Sequence, residues 1–159
     1  MKKILAIAAS LMLALTTFAQ DGQSIYKKYS ENTNVSAVYI SPAMFKLMGS
    51  IPEVELGDDD LDITPAIQSL KGMYILDSEN RSINNELKED IQKLVKRGKY
   101  ELLMEAKDGD ELTRIYGIPK GKDYSSLIIF TYEPDECDFI CIEGVLSQET
   151  LAALISSGM

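Results

Sequence analysis

The sequence predicts an α+β fold: a mostly antiparallel sheet of about six strands with helices packed on one face. Three observations predict it. Between residues 100 and 146, four apolar or alternating segments follow one another through turn-rich breaks, and strands joined by short turns pair antiparallel. Upstream, residues 35–40 and 73–76 are β-rich, and each is followed by a helical pattern. Finally, Ile83, Leu87, Ile91, Leu94 and Val95 recur at intervals that put them on one face of a helix, a face that must be covered by another layer.

The chain begins with Lys2 and Lys3, continues through an apolar stretch at 4–15 and reaches Thr17, Phe18 and Ala19 before polarity returns. Basic, apolar and small residues in that order are the pattern of a secretory signal, and the run falls short of the ~20 apolar residues of a spanning helix. We therefore expect cleavage after Ala19, with 1–19 as signal peptide and 20–159 as a single domain, exported to the periplasm or beyond the cell. No cysteine follows the cleavage point, so lipid attachment has no acceptor there. Removing 19 residues from 159 leaves 140, enough for one cored domain. Losing two lysines takes the formal charge from −9 to −11, which disfavours nucleic acid and anionic membranes as partners.

The elements follow in order. Residues 24–29 form a short helix, and 35–40 a strand leading to Ser41 and Pro42, which respectively cap and start a helix over 42–48 that Gly49 stops. Two prolines, a glycine and the acidic run 58–62 make 52–65 a surface loop. A strand at 73–76 precedes the amphipathic helix, whose end carries Lys96 and Arg97 where the helix dipole favours cations, before Gly98. With a helix between them, the first two strands are free to run parallel.

Residues 100–106 alternate, with Tyr100, Leu102 and Met104 on one face and Glu101, Leu103 and Glu105 on the other. A two-residue turn at Asp108 and Gly109 then makes a hairpin with 112–118, in which Leu103 faces Arg114. Strands at 126–132 and 138–145 complete the meander. Ser147 caps a closing helix, with Leu146 and Leu151 spaced as a hydrophobic staple.

The chain contains no histidine, which excludes imidazole-based triads, His-ligated zinc or haem, and histidine pH switches. No glycine-rich phosphate cradle is present. No cofactor is implied. The acidic run 58–62 offers oxygen ligands for calcium without EF-hand spacing, and reads as a solvated loop. Cys137 and Cys141 lie four apart on one strand, roughly 13 Å between Cα atoms, beyond the reach of a disulfide. The aromatic load is mainly tyrosine, with an apolar body and polar tip suited to interfaces. Tyr116, with Arg114 beside it on an outer, charged hairpin face, is the candidate binding pair. Met44 and Met48 read first as core.

At Asn34 and Val35, through Ser41-Pro42-Ala43-Met44-Phe45, then Leu70-Lys71-Gly72-Met73-Tyr74-Ile75-Leu76 and Gly98-Lys99-Tyr100-Glu101-Leu102-Leu103-Met104-Glu105, the chain resembles the domain of unknown function 4252 family of exported Bacteroides-type proteins. The resemblance implies cleavage at the Phe18-Ala19-Gln20 junction and a regulatory or sensing role near envelope-stress regulators. It supplies no functional residues. The leading reading is a non-catalytic envelope module that binds another protein or a small ligand. The alternative is a small histidine-independent exported hydrolase using carboxylates or a Ser/Lys pair.

Overall fold

A computed structural model describes residues 21–48, 67–97 and 99–157. The expected signal peptide, the stops at Gly49 and Gly98 and the acidic loop at 52–65 lie outside the described residues. Among the described residues, four helices and six strands follow in the order α1 (Gly22–Tyr29), β1 (Ser36–Ile40), α2 (Pro42–Met48), β2 (Leu70–Ser78), α3 (Arg81–Arg97), β3 (Glu101–Asp108), β4 (Glu111–Lys120), β5 (Asp123–Tyr132), β6 (Cys137–Leu146) and α4 (Gln148–Ser157). Among the described residues, no helix is long and apolar enough to cross a membrane.

Helix starts are set by side chains that accept the otherwise unpaired first amides. Asp21 Oδ1 takes the Ser24 amide at 2.9 Å, and Asn80 Oδ1 takes those of Ser82 and Ile83 at 3.1 and 3.2 Å. Ser41 Oγ accepts from Met44 and Ser147 Oγ from Thr150, as the sequence predicts. The staple is also present, since Leu146 and Leu151 share one apolar cluster.

The strands form one antiparallel sheet in the order β1-β2-β6-β5-β4-β3. The first two strands, which the sequence left free to run parallel, run antiparallel: Ile40 lies opposite Met73 and Ser36 opposite Asp77. The chain leaves β1 and re-enters at the same end of the sheet, so the returning strand runs the other way; a parallel pair would need a crossover down its full length.

The first hairpin also differs from expectation. Its turn residues are Gly109 and Asp110, flanked by the Asp108–Glu111 pair, and Gly109 takes the positive φ of 58°. Moving the turn by one residue slides the register by two, so Arg114 faces Glu105 rather than Leu103. A bulge between Leu102 and Met104 then breaks the expected alternation, and Leu103 and Met104 pack on the same apolar cluster.

Each face of the sheet carries its own core. On one face, Tyr74, Leu76, Ile128, Phe130, Phe139 and Cys141 meet Ile25 and Tyr29 of α1 and Ile83, Leu87, Ile91 and Leu94 of α3. On the other, Ile115, Leu127, Ile142 and Leu146 gather with Leu151 at the start of α4. Phe139 of the central strand β6 is fully buried between its neighbours. Cys137 and Cys141 are free, as their spacing predicts, and both are fully buried.

Candidate functional site

Two parts of the molecule depart from simple packing: the outer edges of the sheet, and a cleft at one end of its helix-covered face.

The β1 edge has the sequence Ser-Ala-Val-Tyr-Ile, with no charge, proline or bulge, and its register against β2 is unbroken. Val38 and Tyr39 point to opposite faces, yet each remains about half exposed, at 49% and 48%. Met44 and Leu47 of the adjoining α2 are exposed as well, while Phe45 on its other side is buried. Tyr39 stacks on Tyr74 at 5.0 Å between ring centres, and Tyr26 of α1 closes the aromatic group at 5.4 Å from Tyr74. Among the described residues, no strand pairs with the outer side of β1.

The cleft encloses about 220 Å³ and is lined by Asp21, Lys71, Tyr100, Ile118, Lys120, Ser125, Ser126, Glu143, Gly144 and Val145. It exists because three ladders lose register at the same end of the sheet. The irregularities fall at Leu70/Gly72 between β2 and β6, at Tyr124/Ser126 between β5 and β6, and at Ile118/Pro119 between β4 and β5. Gly144 makes the divergence feasible. Its φ is 147°, and a Cβ there would lie 2.6 Å from the Ser69 carbonyl oxygen, so only glycine fits. The same junction is tied by Ser69 Oγ donating to the Val145 carbonyl at 2.6 Å.

One step along the sheet, the helix-covered face changes from apolar to polar: the row Tyr74, Cys141, Ile128 gives way to Gly72, Glu143, Ser126. Tyr100 Oη lies 3.2 Å from Ser126 Oγ, and Cys141 Sγ lies 3.8 Å from it on the buried side. Burial pushes both Tyr100 and Cys141 up to about 12, with the bond to Ser126 opposing in each case. Neither group is therefore a base for the serine hydroxyl at neutral pH. Burial also raises the Glu143 carboxyl, reinforced by the nearby Asp21 charge and opposed by Lys71. Among the described residues no group of three acidic or thiol side chains is placed to hold a metal ion.

The sequence-predicted pair does not make the expected surface. Tyr116 is only 7% exposed and belongs to the larger core, because even-numbered positions of β4 face the helices. Its placement on an outer hairpin face is corrected accordingly. Arg114 is half-buried near the rim of that same face, where its Nε donates to Glu105 Oε2 at 2.7 Å. The structure instead draws attention to Val38, Tyr39 and Glu143. Some signal for the cleft was present in the sequence: a glycine at 144, a proline at 119 and the Ser125-Ser126 pair interrupt otherwise apolar strands.

Comparison with known families gives one description: the family termed domain of unknown function (DUF4252) matches residues 26–154. No curated protein and no solved structure matches the chain.

Proposed function

The chain belongs to the DUF4252 family, and from that premise we propose that it is a non-catalytic exported module that binds an extended segment of a partner protein along β1. The observation that carries this reading is the outer side of β1, with which no strand pairs among the described residues. Exposed edge strands are ordinarily blunted by charge, proline or a bulge, and β1 has none of these. A partner segment added there would take its affinity from main-chain hydrogen bonds and its specificity from apolar side chains set against Val38 and Tyr39. Export rests on the basic, apolar and small-residue order of 1–19. The hydrolase alternative has less support, because the side-chain partners of Ser126 among the described residues are Tyr100 and Cys141, and neither is a base for its hydroxyl at neutral pH.

The test is selection of ten-residue peptides from a random display library against residues 20–159, followed by amide hydrogen exchange of the complex. Bound peptide should slow exchange in 36–40, and Val38→Lys should weaken binding about tenfold or more without unfolding the domain. The reading fails if selected peptides leave exchange in 36–40 unchanged. It also fails if wild type sediments as a dimer that Val38→Lys dissociates, since a second copy would then be the occupant.

A further inference from the structure

Besides the β1 edge, we propose that the cleft is a binding site for a small zwitterion carrying one primary ammonium and one carboxylate, of the size of a free amino acid. The four charged residues lining it are two acids, Asp21 and Glu143, and two lysines, Lys71 and Lys120. None of the four is ion-paired within the described residues. Their arrangement follows the strand order. Lys71 is on β2, Glu143 on the adjacent β6, the Ser125-Ser126 hydroxyls on β5 and Lys120 at the end of β4. Asp21 approaches from the helix side as the N-cap of α1.

A ligand of one sign would satisfy one pair of side chains and be repelled by the other. With Lys71 standing near Glu143, a ligand of both signs answers Asp21 and Glu143 with its ammonium and Lys120 with its carboxylate. Its ammonium would sit between Asp21 and Glu143, the two carboxylates that disfavour one another. Its carboxylate would point along the sheet toward Lys120, two strand spacings or about 10 Å from the β6 backbone, with the serine hydroxyls between. The convergence of three register breaks on this one end of the sheet is a second, independent observation, because bulges concentrate where a strand must re-aim side chains next to a site. A cleft of about 220 Å³ suits a ligand of this size.

The experiment titrates residues 20–159 separately with L-alanine, L-glutamate and L-lysine, and with propionate and ethylamine as single-charge controls. Amide chemical shifts of Gly144 and Val145 serve as reporters. The expected result is saturable shifts with at least one amino acid and not with either control. Glu143→Gln and Lys120→Ala should each weaken that binding about tenfold, while Val38→Lys should leave it unchanged, which separates this site from the β1 edge. The proposal is overturned if no amino acid gives saturable shifts at about 10 mM. It is also overturned if a control binds as well as the amino acids, or if Glu143→Gln binds like wild type.

Discussion

The two outer strands of the sheet are opposites. β3 carries Glu101, Glu105, Lys107 and Asp108 and is bent by a bulge, whereas β1 carries no charge and keeps its register throughout. Two of the β3 charges are held inward as well. Glu105 takes the Arg114 guanidinium, and Glu101 accepts from Tyr124 Oη at 2.9 Å, a reach made over Gly117, where any side chain would strike the Tyr124 ring. β1 is held by its ladder to β2, by Ala37 against the larger core and by ring packing of Tyr39 with Tyr74 and Tyr26. One edge is closed by charge and shape, and the other carries neither device and has no further strand beside it among the described residues, a difference that strand addition would use.

The comparison breaks most sharply if β3 is stripped of protection. Replacing Glu101, Glu105 and Lys107 by threonine should convert a closed edge into an open one. Sedimentation velocity should then show concentration-dependent association beyond that of wild type. If the triple variant sediments as wild type does, charge is not what closes β3.

Smaller effects separate the forces at the two edges. Tyr39→Ala should cost about 1 kcal/mol in urea denaturation, through lost stacking and packing, and that cost should persist in concentrated salt. Arg114→Ala should cost about 0.5 kcal/mol at low ionic strength, because the pair with Glu105 is partly solvated, and most of that should vanish in salt. Equal salt responses would erase the distinction between an aromatic and an ionic edge.

The smallest expected effect is a pH dependence on the β1 side. Asp90 of α3 resists ionisation through burial, but hydrogen bonds from Lys28 and Tyr29 of α1 outweigh this and leave its carboxyl below the ordinary 3.8. A carboxyl lowered in the folded state contributes stability that is complete above its unfolded value and lost as pH falls through the folded one. Acidification below about pH 4 should therefore loosen α1, raising hydrogen exchange at Ile25 and Tyr29. Asp90→Asn should show the higher exchange already at neutral pH and respond less to acid. An Asp90→Asn profile that parallels wild type would remove this carboxylate from the account.

The parts legible in the sequence were those written locally. The Ser41-Pro42 start places α2 at Pro42–Met48, and the spacing of Ile83, Leu87, Ile91 and Leu94 gives the buried face of α3. The six strands and their mainly antiparallel pairing were also readable, because short turns leave little choice. Register was less accessible. Whether the turn uses Asp108-Gly109 or Gly109-Asp110 is decided by the finished sheet, and that choice moved Arg114 opposite Glu105; Tyr116 is inward for a separate reason, that the helices cover the even-numbered face of β4. The cleft was out of reach for a related reason. Its residues are Asp21 at the N-cap of α1, Tyr100 and residues of four strands, and only the strand order brings Lys71, Glu143 and Lys120 to one end.

That strand order sets a sequence of events for folding. β6 is the last strand among the described residues and the one that joins β1-β2 to β5-β4-β3, so the two halves of the sheet cannot be joined until residues 137–146 have been made. Pairing between such distant segments is slow. For a chain delivered unfolded across a membrane, as the proposed export requires, it sets up a race. Both thiols of the protein, Cys137 and Cys141, ride on β6 and are hidden only once it docks. An oxidant that reaches the chain before β6 inserts meets two accessible thiols, and one that arrives afterwards meets none.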